Sequence, residues 1–321
     1  MIIDVLMGGP GREATVSRRS GAAIAAALRT RGHDVAEIDL AGRLESGRLR
    51  SESVVFNIIH GTYGEDGELQ AELDALGRSY VGSEAAVSRL CIDKAATKRR
   101  LMEAGIRVPW GAEIHLGTPF KPSDLKLPHH AGLVLKPRND GSSVGLRLIA
   151  NPSFLLPTIE DLLRELPPQP YLVEERLPGP EYTVAVIDEG PVDAPVPRAL
   201  PPLTIRAADG VFDYAAKYHR DDTIEEPVAD AALAAELGRI GVAAYRACGC
   251  RDLGRIDVMR SADGGLAVLE INTLPGFTDK SLTPKAAAAA GIDFGELCEL
   301  LTARAAARVA PSATATVKGS P

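Results

Sequence analysis

Apolar runs alternate with Ala-rich stretches of helical spacing at the start of the chain. Residues 2–7 form a short apolar run ending in Gly8-Gly9-Pro10-Gly11. Residues 17–28 have helical composition, with Arg on the polar side, and stop at Arg31-Gly32. Residues 34–40 and 54–59 read as further strands. Alternation of strand and helix predicts a small parallel sheet. The strand at 54–59 runs into the Gly-rich segment 60–67, and loops after parallel strands are where ligands bind in such sheets. A helix over 68–76 ends at Gly77, and Asp93 is placed to cap a helix over 95–104 that Gly105 closes.

Further along, short apolar runs follow one another. Residues 117–130, rich in Pro, Lys and Gly, read as a loop. A strand at 133–136 enters the loop 137–145, and a second apolar run follows at 146–150. Strands at 171–177 and 181–187 flank Pro178-Gly179-Pro180, a hinge. The Pro-rich 194–203 reads as irregular, and a polar segment spans 212–230. Helical periodicity returns at 231–247 and 294–309, and the Ser/Thr/Ala-rich 311–321 is expected to be disordered.

The densest chemistry falls at 254–282. Two apolar runs, 255–259 and 266–271, flank Ser261-Ala262-Asp263-Gly264-Gly265, which predicts an antiparallel hairpin. Alternate strand residues share a face, so Arg255 goes with Asp257 and Glu270 with Asn272. Pairing Arg260 with Gly265 places Arg255 opposite Glu270 and all four on one side; a slip of one residue breaks the set. Two carboxylates and an amide oxygen are hard ligands of the kind Mg²⁺ uses when it also holds phosphates. An edge hairpin with a solvated polar face is the other reading. The Pro275-Gly276 turn favours a site, because it can aim backbone N–H groups at whatever the metal binds.

Composition narrows the class. A chain of 321 residues is expected to form two or three domains. A net charge of −7 argues against nucleic acid or an anionic membrane as the main partner, and no apolar run approaches the length of a membrane span. The N-terminus lacks the pattern of a signal peptide. Cys91, Cys248, Cys250 and Cys298 offer no zinc spacing and read as buried free thiols of a reducing cytoplasm.

The loop 137–145 matches neither a Walker loop nor a dinucleotide fingerprint, which lie between a strand and a helix. It is either a plain hairpin turn or a Gly/Ser cover over phosphates. Lys136 just before it, and Lys94, supply cations for the second reading, although either lysine alone can be a surface charge. Together these parts describe an ATP–Mg²⁺ site in an α+β cradle facing a smaller α/β domain. The chemistry implied is phosphoryl transfer by positioning and charge neutralisation.

The motifs GGPGREATVSRRSG at 8–21, HGTYGEDGELQ at 60–70, DK at 93–94, LKPRNDGSSVG at 135–145 and VEERLPGPEYTVAV at 173–186 continue the pattern. FDYAAKY at 212–218, GRIDV at 254–258 and LEINTLPGFTDKSL at 269–282 complete it. In this order and spacing the chain resembles the D-alanine–D-alanine ligases of the ATP-grasp superfamily. The resemblance implies an α/β fold with an N-terminal parallel domain at 1–88, two α+β subdomains that clasp ATP at 89–177 and 178–310, and a tail at 311–321. It implies that ATP phosphorylates the carboxylate of one D-alanine and that the amine of a second attacks the acyl phosphate.

By this resemblance Lys94, Lys136 and Lys217 bind ATP phosphates, Glu174, Glu175 and Leu177 hold the adenine, and Glu181 takes the ribose. Asp257, Glu270 and Asn272 carry two Mg²⁺ ions, with Mn²⁺ as a substitute. Arg255 and the Gly276 N–H stabilise the oxyanion. Glu13 holds the first ammonium, His60 lies near the first carboxylate, and Ser281 and Leu282 position the second D-alanine. Ser142 and Tyr218 link the Gly/Ser loop to a lid, in a network that Glu13 completes. A cytoplasmic homodimer with small-molecule substrates is implied. Two departures stand out: Ala14-Thr15 replaces a second acidic residue, and 219–230 lacks the family's aromatic and Cys-Pro-Ala residues. Two other readings compete: an ATP-grasp ligase joining other amino acids, and a nucleotide-binding regulator without turnover.

Overall fold

The computed structural model describes residues 1–45, 47–127, 132–139, 145–206 and 223–308. Ser142, Lys217, Tyr218, the first four residues of the divergent segment (219–222) and the tail 311–321 lie outside the described residues.

The described strands make three sheets. In the first, β1 (Ile2–Gly8) lies between β2 (Asp34–Leu40) and β3 (Val54–Asn57), all parallel, with Val5 opposite Glu37 and Phe56. Helix α1 (Ala14–Thr30) is the crossover and buries Ile24, Ala25 and Leu28. That core also contains Leu297, Leu301 and Ala305 of the last helix, α8 (Phe294–Ala307), and Ala185, Ile187 and Leu203 of the third sheet. The parallel sheet therefore shares its interior with the C-terminal part of the chain.

Helices α2 (Glu68–Ala75), α3 (Ala85–Ile92) and α4 (Lys94–Glu103) lead to the second sheet. It is antiparallel, in the order β4 (Gly111–His115), β7 (Pro170–Glu175), β5 (Leu133–Pro137), β6 (Arg147–Ile149). Helix α5 (Leu155–Glu165) closes its core with Leu155, Ile159 and Leu162.

The third sheet runs β11 (Ile224–Pro227), β10 (Leu203–Arg206), β8 (Glu181–Glu189), β12 (Leu253–Arg260), β13 (Leu266–Asn272), and β9 (Val196–Ala199) also pairs with β8. Helix α6 (Ala231–Cys248) lies across it. Asp230 caps that helix by accepting from the N–H groups of Ala232 and Leu233. A Cβ added at Gly241 would come within 2.6 Å of Val184, so a glycine is what lets helix and sheet approach. The short α7 (Leu282–Ala289) precedes α8.

Several expectations need correction. The Pro-rich stretch read as irregular contains β9: among the described residues Pro197 sits on a strand paired only with β8, where its missing N–H breaks no ladder. The polar segment contains β11, an edge strand that alternates without an apolar face. Helices α3, α5 and α7 add elements that the sequence pattern did not mark. All four cysteines are free, but Cys250 is half-buried. Among the described residues no helix is long and apolar enough to cross a membrane.

Candidate active site

The β12–β13 hairpin pairs Arg255 with Asn272 and Asp257 with Glu270. The expected register, with Arg255 opposite Glu270, is therefore wrong by two residues. Gly265 is used up in the turn, where its carbonyl accepts from the Ser261 N–H at 2.8 Å, so the ladder starts with Arg260 opposite Leu266. A second displacement comes from an irregularity after Asp257, beyond which Val258 faces Val268. Two shifts of one restore the parity of the strand. Arg255, Asp257, Glu270 and Asn272 consequently still share a face.

Within that set Arg255 forks onto Asp257, with Nε donating to Oδ1 at 2.9 Å and Nη2 to Oδ2 at 2.7 Å. Thr183, opposite Asp257 on β8, donates its hydroxyl to Oδ1 at 2.7 Å. Both charged residues are buried. Asn272 accepts from the Leu274 N–H at 2.9 Å, which starts the turn toward Gly276. The Ser281 Oγ lies 3.3 Å from where a Gly276 Cβ would stand and accepts from the Thr278 N–H. The neighbouring Leu282 side chain is packed in the core.

The lysines come from the second sheet and α4. Lys94 is the first residue of α4, and its Nζ lies 3.8 Å from Glu270 Oε2. Asp93 caps the helix through the Ala96 N–H and also receives a fork from Arg138 at 2.8 and 2.6 Å. Arg138 thus ties the start of α4 to the end of β5. Lys136 on β5 sits 3.0 Å from Glu174 Oε2, and Lys98 on α4 sits 2.5 Å from Glu174 Oε1. Burial works against the charge of Lys136, yet Glu174, Glu270 and Glu181 outweigh it and hold its pKa above the usual lysine value. Burial likewise opposes the Glu174 carboxylate, but Lys136 and Lys98 keep it below the usual range. Glu175 turns aside and accepts from the Trp110 N–H at 2.8 Å, and Leu177 is buried.

On the parallel sheet, the buried His60 follows β3 and its Nδ1 lies 3.1 Å from Glu65 Oε1. Glu13 precedes α1, and its Oε2 lies 3.2 Å from where a Cβ on Gly61 would stand. Gly61 has φ +70°, so a glycine suits both the turn and this approach. Burial disfavours the imidazolium, but Glu65 and then Glu13 prevail and raise the His60 pKa.

Lys98, Arg138, Thr183 and Glu65 were not singled out from sequence. Only Lys98 carried a signal, since it lies one helical turn beyond Lys94. Among the described residues no three His, Cys, Asp or Glu side chains converge as a complete metal cage. Asp257, Glu270 and Asn272 are a partial oxygen set, which fits Mg²⁺ held partly by substrate phosphates.

Two antiparallel sheets, one carrying lysines and the other carboxylates directed to the same charged cluster, define an ATP-grasp fold. The family model for the D-ala D-ala ligase C-terminus matches residues 123–303. The D-alanine–D-alanine ligase of Moorella thermoacetica is 39% identical, over 93% of this chain and 97% of that protein. The one from Neisseria meningitidis serogroup B is 37% identical, over 92% and 95%. Among solved structures, the Bacillus anthracis D-alanine–D-alanine ligase complexed with ATP superposes with a TM-score of 0.78 at 29% identity, covering 95% of this chain and 97% of that one. The VanG D-Ala:D-Ser ligase of Enterococcus faecalis also gives 0.78, at 25% identity over 95% and 99%. The chain belongs to the D-alanine–D-alanine ligase family, whose members use ATP and a divalent metal.

Proposed function

We infer that the chain joins two D-alanines into D-alanyl-D-alanine, at the expense of ATP, for peptidoglycan precursor synthesis. The observation that carries this is Arg255, Asp257, Glu270 and Asn272 on one hairpin face, with Lys94 reaching Glu270. In the first step a carboxylate oxygen of one D-alanine attacks the terminal phosphorus, the bond to the bridging oxygen breaks, and ADP leaves. In the second, the amine of the other D-alanine attacks the acyl carbon, loses a proton, and inorganic phosphate leaves.

Lys94, Lys136 and Lys217 hold the phosphates; Glu174, Glu175 and Leu177 receive the adenine, and Glu181 the ribose. Asp257, Glu270 and Asn272 hold two Mg²⁺ ions, replaceable by Mn²⁺, which neutralise phosphate charge. The fork to Asp257 fixes the Arg255 guanidinium, and with the Gly276 N–H it stabilises the oxyanion of the tetrahedral intermediate. Glu13 receives the first ammonium and His60 the first carboxylate, while Ser281 and Leu282 position the second D-alanine. Ser142 and Tyr218 close the site over the acyl phosphate. Domain limits at 88 and 177, a homodimer and a cytoplasmic location belong to the same reading.

The test is mass spectrometry of the products from ATP, Mg²⁺ and D-alanine. D-alanyl-D-alanine with ADP and phosphate is the expected result, and ADP release without dipeptide overturns it. The likeness to a D-Ala:D-Ser ligase supports a second reading, in which another amino acid takes the second place. Competition among D-alanine, D-serine and D-lactate at neutral pH should yield mainly D-alanyl-D-alanine; predominant mixed dipeptide or ester would instead assign specificity to the divergent segment 219–230.

A further inference from the structure

Glu174 is a buried carboxylate with two lysines on its two oxygens. Its neighbour across β5 is Val134, so Lys136 lies two residues along the facing strand and reaches Glu174 diagonally. Lys98 comes from α4, one turn beyond Lys94 and on the same side of the helix. Both α4 lysines are buried, and they reach carboxylates of different sheets: Lys94 that of Glu270 on β13, Lys98 that of Glu174 on β7.

On the reading above, Lys136 must serve ATP phosphates, yet here it is bound to Glu174. A buried carboxylate abandoned by its counter-ion is strongly disfavoured. Were Lys136 the sole partner, ATP would have to strip Glu174 of its charge compensation. We propose that Lys98 is a positioning residue for ATP: it keeps Glu174 neutralised, so that Lys136 can turn from Glu174 to the phosphates. This rests on the ATP-site reading and adds a role to a residue outside it.

The surrounding charges agree with that division of labour. Lys98 faces Glu174 and Glu175 on β7 and Lys136 on β5. Glu270 on β13 and Glu181 on β8 bear on Lys136. Burial pushes the Lys98 pKa down to about 8, with Glu174 opposing and Lys136 adding to the fall. Lys136 is held above the usual value and keeps its charge over the same range. Lys98 is therefore the member of the pair that loses its proton first, and with it the compensation of Glu174.

The experiment measures Mg²⁺–ATP affinity by calorimetry on the full-length chain, beside thermal unfolding. Lys98→Met keeps the apolar stem and removes the charge. It should weaken ATP about ten- to hundredfold, the scale of one charge-assisted hydrogen bond. In a Glu174→Gln background there is no charge to compensate, so adding Lys98→Met should leave ATP affinity unchanged. Lys98→Arg keeps the charge and should bind ATP within about threefold of wild type, a difference under about 1 kcal/mol. Wild-type affinity should fall as pH rises past about 8, whereas Lys98→Arg should not show that fall. If Lys98→Met does not fold, the arginine variant and the pH series decide. Equal losses in both backgrounds, or a pH dependence that Lys98→Arg retains, would overturn the inference. A wild-type chain that binds no ATP would instead overturn the reading of the site.

Discussion

Asp257 and Glu174 are both buried carboxylates in the charged cluster, and both have more than one polar or charged partner. They are built in opposite ways. Asp257 takes its partners from its own strand and the strand beside it: Arg255 two residues back and Thr183 directly across. Glu174 takes Lys136 from a neighbouring strand and Lys98 from a helix outside the sheet. The chemistry differs too. A guanidinium fork fixes its carboxylate in a plane, while a lysine is a point charge on a flexible stem that can change partners. The hairpin is a rigid half of the site and the lysine cluster an exchangeable half.

The largest effect should come from the rigid half. Asp257→Asn and Glu270→Gln each remove one charged oxygen and keep the shape, and each should lower ligase turnover by about 10²–10³-fold, the scale of losing one preorganised electrostatic group. Their stabilities should separate. Asp257 carries the Arg255 fork, so its amide variant should lose about 1–3 kcal/mol. The Glu270 side chain is 31% exposed and should lose less than about 1 kcal/mol. Turnover and urea unfolding on both variants check this. Equal stability losses would erase the distinction between a forked and a loosely held carboxylate, and near-normal turnover at saturating Mg²⁺ would remove both from the metal site.

Lys136→Ala probes the exchangeable half and should have the next largest effect. ATP affinity should fall about ten- to hundredfold, one charged contact being lost. Stability should fall by less than the about 3–5 kcal/mol typical of a buried carboxylate that loses its only partner, because Lys98 still holds Glu174. Calorimetry with Mg²⁺–ATP and thermal unfolding give the two numbers. An unchanged ATP affinity with a large loss of stability would make the start of the 137–145 loop a structural turn and no part of the site.

The same contrast explains what could be read from sequence. A strand's two-residue period put Arg255 with Asp257 and Glu270 with Asn272, and that survived a mistaken register because the two displacements share parity. The parallel sheet followed from alternating strand and helix. Nothing local pairs Lys98 with Glu174 or Arg138 with Asp93, since those contacts exist only once α4 is laid against the second sheet. Strand β9 was hidden by Pro197, tolerated because β9 lies at an edge. Helix α7 was not marked from sequence, although Pro284 in its first turn is compatible with a helix start.

The smallest expected effect tests whether the parallel sheet, too, holds its charge rigidly. The His60 pKa is raised: burial opposes the proton, but Glu65 and Glu13 prevail. A group whose folded pKa lies above its unfolded value stabilises the fold fully below the unfolded pKa, about 6.5 for histidine, and that stabilisation is lost as pH rises through the folded pKa. Glu65→Gln removes the strongest of the favourable partners. The variant should therefore be less stable than wild type in mildly acidic solution, and the gap should narrow as pH is raised past the point where wild-type His60 deprotonates. Imidazole C–H resonances followed by NMR should show His60 titrating above a free histidine in wild type and lower in Glu65→Gln. If the imidazolium meets the first D-alanine carboxylate, KM for that substrate should rise with pH a few-fold, and the rise should begin at lower pH in the variant. A gap in melting temperature that does not change with pH would mean that Glu65 supports the loop by shape alone, and that His60 carries no charge for the substrate.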